Sequence, residues 1–415
     1  MNALENKVHN LLRYNPKVKS SVVYLYQRLF SLIKKPEYKP EKTVRIDGFF
    51  FGFHDKSPWN STGKLLLAHK LNSKCKYNTY ANTPIPVGYL NSNHEFYAIG
   101  ETKTWNWQQG ATLQWVGNKD IASYHSIKNG KIVTKQFDIS TKITRTIQEE
   151  CACYSPCGNL YANYSFKRFG ASAKGYDYKL DVGRDTDLIN KSAIQVKCNQ
   201  TGHKVYSVGY SVLTELSNTS LNGSISPYVS HALFSKSGSN LAFFYRWKNN
   251  NGGILTQLFI AKLDSGELLP IKIQDCSHIS WIDDSRLLCY GVVDKGGYFE
   301  IDIENGTTNA LRLGYPSTDG HPYIQNNLLV TDTYPNRHRQ QKLYFYDLSK
   351  KDRSALLVLN ANIPFRFRAE NRCDFHPRLS PDSQKICIDF PSDRIRSMMI
   401  IDTPNKINST ANCVE

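Results

Sequence analysis

This 415-residue sequence predicts an all-β fold, a seven-bladed β-propeller with an N-terminal helical arm. Three observations predict it: a recurring strand-turn-strand unit, an aromatic content of 12% with only three Met, and a change of pattern near residue 40. Recurrence at a few tens of residues marks one hairpin-bearing module copied about an axis. An interior of Tyr, Phe and Trp suits stacked sheets.

The units can be read in order. The first is His54-Asp55-Lys56-Ser57-Pro58-Trp59-Asn60, with Gly63 and Leu65-Leu66-Leu67. Leu113-Gln114-Trp115 with Ile121, Cys153-Tyr154-Ser155-Pro156 with Leu160-Tyr161, and His231-Ala232-Leu233-Phe234-Ser235 with Leu241-Ala242-Phe243-Phe244 follow. Ile279-Ser280-Trp281 with Asp283-Asp284-Ser285, His321-Pro322-Tyr323, and His376-Pro377-Arg378-Leu379-Ser380-Pro381-Asp382 with Ile386-Cys387-Ile388 complete the set. They start near residues 54, 113, 153, 231, 278, 321 and 376, at intervals of 40 to 78 residues. Most intervals suit a four-stranded blade of about 40–50 residues. The longer ones predict inserted loops at 72–106 and 166–228, and long loops on one propeller face commonly build its binding site. Ordinary hairpins of another all-β fold are the competing reading.

Residues 1–40 read differently, so the domain division is an arm and linker at 1–40 and a propeller at 41–415. Between residues 6 and 35 there is no strand alternation. Val22, Val23, Leu25, Leu29, Leu32 and Ile33 recur at helical spacing among Lys17, Lys19, Arg28, Lys34 and Lys35. Pro36 and Pro40 end this basic amphipathic helix. Such a helix fits an anionic membrane interface, and equally a packing role across the propeller or against a partner. No apolar run reaches the roughly 20 residues of a bilayer span, and no apolar signal core with a cleavage site opens the chain. The expectation is a cytoplasmic protein, soluble or peripheral on the inner membrane face.

Ten Cys without an export signal predict reduced thiols. Cys151, Cys153 and Cys157 cluster, but the spacing identifies no fourth zinc ligand, which favours small core residues. The formal charge of +16 attracts polyanions. No recognition helix or stacked-aromatic strand signature is visible, which argues against nucleic acid and towards an acidic glycan or lipid-linked glycan. A transferase using a nucleotide-linked sugar is a further reading, although no Gly-rich phosphate loop of the familiar kinds is present.

Chemistry is expected where His recurs at one position of successive units. His231, His321 and His376 each open a unit, with His54 at the corresponding place in the first. Matched positions of different blades lie at matched depths around one channel, so these imidazoles converge if the fold is a propeller. Imidazoles with a carboxylate or amide oxygen make a divalent-metal site; taken singly, each His also suits a structural hydrogen bond. Trp105-Asn106-Trp107-Gln108-Gln109 and the cluster Arg168, Lys174, Tyr176 and Tyr178 suit the faces and hydroxyls of sugar rings, or alternatively blade packing and solvated loop charge. His54-Asp55 also suits an internal fastening of the blade.

Around these residues the sequence resembles the oligogalacturonate lyases. The resemblance rests on His231 followed by Phe244-Tyr245-Arg246-Trp247, on Asp319-Gly320-His321-Pro322, and on Asn371-Arg372-Cys373-Asp374-Phe375-His376-Pro377. It is recognisable over half the chain. It implies a seven-bladed propeller that cleaves uronic-acid oligosaccharides by β-elimination, with manganese held by three His and one Gln. His321 and His376 match two of those ligands, Asp374 stands where the family has His, and Asn371 where it has Gln. His231 matches the Brønsted base, with Arg246 or Arg168 as the cationic partner. The altered set is harder and more acidic, suiting manganese, magnesium or calcium. Trp105, Trp107, Gln109, Lys174, Tyr176 and His54 are the expected substrate-binding residues. Phe51-Gly52-Phe53-His54-Asp55-Lys56-Ser57-Pro58 and Cys373-Asp374-Phe375-His376-Pro377 also resemble propeller proteins of bacterial surface-polysaccharide clusters. Two functions follow: a metal-dependent lyase-like enzyme on an acidic glycan, or a non-catalytic glycan-binding scaffold of capsule or O-antigen assembly.

Overall fold

A computed structural model describes residues 16–71, 83–179, 191–219, 227–248, 253–311, 313, 318–350, 354–392 and 395–404. It contains seven four-stranded antiparallel sheets. Blade 1 is β2 (Phe49–Phe50), β3 (Leu66–Lys70), β4 (Ile85–Leu90) and β5 (Phe96–Thr102). Blade 2 is β6 (Gln114–Val116), β7 (Lys119–Lys128), β8 (Lys131–Asp138) and β9 (Thr144–Ile147). Blade 3 is β10 (Cys151–Tyr154), β11 (Leu160–Asn163), β12 (Ser192–Cys198) and β13 (Lys204–Gly209). Blade 4 is β14 (Tyr228–Phe234), β15 (Asn240–Lys248), β16 (Ile254–Lys262) and β17 (Leu268–Ile271). Blade 5 is β18 (Gln274–Trp281), β19 (Arg286–Val292), β20 (Gly296–Asp302) and β21 (Thr307–Ala310). Blade 6 is β22 (Tyr323–Gln325), β23 (Leu328–Asp332), β24 (Gln340–Asp347) and β25 (Leu356–Asn362). Blade 7 is β26 (Arg378–Leu379), β27 (Lys385–Pro391) and β28 (Arg396–Asp402), completed by β1 (Thr43–Asp47) from the other end of the chain.

That exchange closes the ring. β1 pairs with β28 from Thr43 opposite Ile401 to Asp47 opposite Ser397, so the first strand supplies the fourth strand of the last blade. A buried carboxylate reinforces the join: Asp389 on β27 accepts from the Phe51 and Gly52 amides at 2.9 and 2.8 Å. Arg378, fully buried, donates to the Gly52 carbonyl and lies 3.6 Å from Asp389.

Each blade is sandwiched between two others, so both faces of its second strand are covered and apolar residues run on without alternation. Leu241-Ala242-Phe243-Phe244-Tyr245 on β15 is the clearest case, every residue inaccessible to solvent. The core accordingly lies between blades: Phe244 and Leu258 of blade 4 pack on Trp281 and Leu287 of blade 5, and Leu343 and Phe345 of blade 6 on Ile386 and Ile388 of blade 7.

Residues 72–106 are not an inserted loop. They include β4 and β5, so the long first interval is a complete blade, with residues 72–82 outside the described set. The 166–228 stretch does carry inserted helices, α2 (Phe166–Ser172) and α3 (Tyr210–Leu216), around two ordinary strands. The arm contains helix α1 (Pro16–Phe30); the earlier part of the expected helix lies outside the described residues. No helix among the described residues is long and apolar enough to cross a membrane.

Candidate functional site

Turn geometry fixes the depth of each inner-strand residue. The amides that close the first turns of blades 4, 5 and 7 belong to Ser235, Ile282 and Ser380. Four residues before each stands a histidine: His231, His278 and His376. In blade 6, His321 stands four residues before Gln325, which opposes Leu328 across the hairpin. Blade 1 departs from this pattern, because its closing amide is Asn60 and four residues earlier is Lys56. His54 lies two residues further upstream than expected, yet its ring still joins the group.

The imidazoles converge on Phe53, whose ring centroid lies 4.5 Å from His231 in a stacked pair, 4.6 Å from His54 and 5.0 Å from His376. His321 lies 4.4 Å from His376 and 4.5 Å from His278. All five histidines are buried. Two of them sit on left-handed backbone, His231 at φ +53° and His376 at φ +44°. A strand register shift between Ser230 and Leu233 accompanies the first. Such conformations cost about 1–3 kcal/mol and persist where surrounding structure enforces them.

Carboxylates orient two of the rings. Asp319 Oδ1 is 2.9 Å from His278 Nδ1 and accepts from Ser277 Oγ at 2.9 Å. Asp332, with no solvent exposure, joins blades 6 and 7: its Oδ1 meets His321 Nδ1 at 2.7 Å and accepts the His321 amide at 2.9 Å, while its Oδ2 accepts the His376 amide at 3.1 Å and Gln341 Nε2 at 3.2 Å. Gly320 makes this approach feasible, since a Cβ there would lie 1.8 Å from the Asp332 carbonyl oxygen.

The rings differ electrostatically. Burial pulls His54, His231 and His376 well below the ordinary imidazole value, and neighbouring cationic groups add to it: His321 and His278 for His54, Arg246 for His231, and His321 and Arg378 for His376. Burial also lowers His278, against the opposing pull of Asp319. For His321, Asp332 and Asp374 outweigh burial and hold the ring above its usual value.

No protein-family model and no curated protein matches the chain. Among solved structures, an oligogalacturonate lyase in complex with manganese superimposes with a TM-score of 0.61 at 12% identity, over 89% of this chain and 96% of that one. The fold is oligogalacturonate lyase-like. The oligogalacturonate lyase of Vibrio parahaemolyticus gives 0.59 at 13% identity with the same coverage. A chain of the mitotic checkpoint complex gives 0.51 at 14%, covering 89% of this chain and 96% of that one. Likeness at this identity establishes architecture, and chemistry must be argued from side chains.

On this lyase-like scaffold the atoms present fit a cation. Ligand atoms of buried His321, Asp374 and His376 all lie within 4.8 Å of one another, and no other such group of His, Cys, Asp and Glu occurs among the described residues. His321 Nε2, His376 Nε2, Asp374 Oδ1 and Asn371 Oδ1 are buried without hydrogen-bond partners. Leaving buried polar atoms unpaired costs about 1–3 kcal/mol each, which a cation bound among His321, Asp374 and His376 would recover for those three. Arg372 bears on the same group: its Nε donates to Asp374 Oδ2, and its guanidinium lies 5.2 Å over Tyr334.

The other expected residues are dispersed. Arg246 lies over Phe244 at 4.6 Å and donates to the Ser277 carbonyl at 3.3 Å and to Thr256 Oγ1 at 3.2 Å. Tyr176 faces His231 at 5.5 Å. Arg168 is directed to the Pro227 carbonyl and the Tyr210 ring, and Lys174 is exposed at the surface. Trp105 and Trp107 do not offer faces to a sugar. Trp105 is fully buried and donates to the Thr83 carbonyl at 2.8 Å, while Trp107 packs against Arg396 at 4.4 Å. The neighbouring amides tie this turn down, Asn106 Oδ1 accepting from the Gln108 and Gln109 amides, and Gln109 itself is buried. Cys151 and Cys153 are buried strand residues whose thiols burial pushes up to about 12, and Cys157 is exposed. The sequence reading missed His278, Phe53, Asp332, Tyr334 and Arg372. Only His278 carried a signal, its four-residue spacing to Ile282.

Proposed function

We propose that this protein is a metal-dependent lyase that acts by β-elimination on an acidic, uronic-acid-containing glycan, of the kind found on bacterial surfaces. The observation that carries the reading is the buried His321, Asp374 and His376 cluster, with unpartnered ligand atoms, in the same ring of imidazoles as a neutral His231. His321, Asp374, His376 and Asn371 would hold a divalent ion, manganese being favoured over magnesium or calcium by the two imidazoles. Such an ion supplies Lewis-acid polarisation of the uronate carboxylate.

The chain's own residues would do the rest. His231 is neutral, its Nδ1 is buried without a partner, and it can accept the proton from the carbon beside the carboxylate. An approaching carboxylate raises its basicity, because an anion nearby favours imidazolium. Arg246 provides a fixed cation for the developing enolate. As the bond to the glycosidic oxygen breaks, the electron pair of the broken C–H bond forms the new double bond, and the departing oxygen takes up a proton from water. Tyr176 and His54 border the same space, and exposed Lys174 suits a more distant acidic residue of the glycan.

The test is incubation with uronate oligosaccharides and manganese, following the ultraviolet absorbance of the conjugated product. Wild type should generate the absorbance and His231→Gln should not. Equal turnover by the two, or none by wild type across acidic glycans, would overturn the assignment.

One observation favours a second reading, a glycan-binding scaffold. The Arg372 guanidinium already neutralises Asp374, and its charge opposes a dication. Glycan binding that is unchanged by chelation and without turnover would support it.

A further inference from the structure

We propose that helix α1 is an interfacial anchor that lays the propeller on an anionic lipid surface. Residues on opposite sides of the helix carry the argument. Tyr24 and Phe30 hold it to the protein, Tyr24 edge-on to Phe365 at 5.4 Å and Phe30 to His338 at 5.3 Å. Arg368 lies 4.4 Å over the Tyr24 ring and Arg337 5.3 Å over that of Phe30. The segment after the helix is pinned to the edge of blade 6. Tyr38 pairs with Asn360 on β25 through two backbone hydrogen bonds, Gln340 donates to the Pro36 carbonyl at 3.0 Å, and the Asn362 amide donates to Glu37 at 2.7 Å.

With that side occupied, the opposite side faces solvent and is apolar. Val22, Leu25 and Leu29 follow one another at intervals of three and four residues, which places them on one stripe of α1, and exposed Leu32 and Ile33 follow in the turn after it. Leu25, Leu29 and Leu32 are 59, 58 and 70% exposed. A soluble helix ordinarily turns its apolar stripe inward. Here Phe30 is half-buried and Tyr24, itself 43% exposed, leans on Phe365, while the leucines face out.

Charge selects the occupant. Exposed Lys34 and Lys35 follow the stripe, and exposed Arg28, Arg337 and Arg368 lie over the aromatic rings on the other side of the helix. The nearby acid Glu37 is paired with Lys39 at 2.9 Å. The same spacing suits a coiled coil with a second copy, but a symmetric pair would bring these cations against each other. A leaflet rich in anionic headgroups accepts both the leucines and the flanking charges. The surface is distinct from the buried histidine cluster and stands whether or not that cluster binds metal.

The full-length protein is tested by sedimentation with vesicles of phosphatidylcholine alone and of equal parts phosphatidylcholine and phosphatidylglycerol. Wild type should bind the anionic vesicles and not the neutral ones. Leu25→Glu with Leu29→Glu should abolish binding. Lys34→Gln with Lys35→Gln should weaken it by about 25-fold, at roughly 5-fold per charge. All these side chains are exposed, so both variants should melt as wild type does. Wild type that stays in the supernatant with anionic vesicles, a leucine variant that binds equally well, or a dimer that the leucine variant splits would each overturn the proposal.

Discussion

Asp332 holds the geometry of the candidate metal cluster, so Asp332→Asn is the most informative single change. The substitution conserves shape and turns one acceptor oxygen into a donor. If the new amide nitrogen takes the Oδ2 place, it faces the His376 amide at 3.1 Å and Gln341 Nε2 at 3.2 Å. Gln341 can adapt by flipping, since its Oε1 lacks a partner. The His376 amide cannot, and a buried unsatisfied donor costs about 1–3 kcal/mol. His321 also exchanges an ionised acceptor for a neutral one, losing about 1 kcal/mol more. The total is about 2–4 kcal/mol, read as a lower midpoint in chemical denaturation. Because Asp332 also orients the His321 ring, metal affinity by calorimetry should fall about 10–100-fold. Wild-type stability together with wild-type affinity would refute this role.

Further outcomes follow from the same structure. His69 and His125 are buried and held down to about 3 by desolvation, so in the folded protein they stay neutral where the unfolded chain protonates them. Stability from this pair is complete above pH ~6.5 and should be lost below it at about 1.4 kcal/mol per pH unit for each ring, as denaturation across that range would register. Gly320→Ala sets a Cβ against the Asp332 carbonyl and should cost about 3 kcal/mol, because strand β23 must move; a wild-type melting temperature would contradict the packing. Arg372→Gln removes a cation bound to Asp374, so manganese affinity should rise about tenfold by calorimetry while the metal-free protein loses stability.

The ring of blades was legible because each module repeats the turn that places its inner strand, and the histidines at His231, His321 and His376 are locked to that turn. His278 obeys the same spacing, but its unit was spelled from Ile279, one residue after it. The errors have physical causes. In residues 105–109, amides beside tryptophans looked like sugar-binding groups, but they bond to their own backbone, to Tyr176 and to Arg372, and the indoles fill the core of blade 1. The 72–106 interval looked like an insertion because β4 and β5 have little recognisable motif. Asp332 was invisible in sequence, being an ordinary strand-end acid whose reach to His376 exists only once blades 6 and 7 meet.

Whether His321, Asp374 and His376 form a divalent-cation site is read most directly from the metal content of protein purified without chelator beside the Asp374→Ala, His376→Ala double variant. Wild type should carry about one equivalent of manganese, or of another divalent ion, and the variant none. Metal-free wild type that takes up nothing after soaking with manganese would contradict such a site.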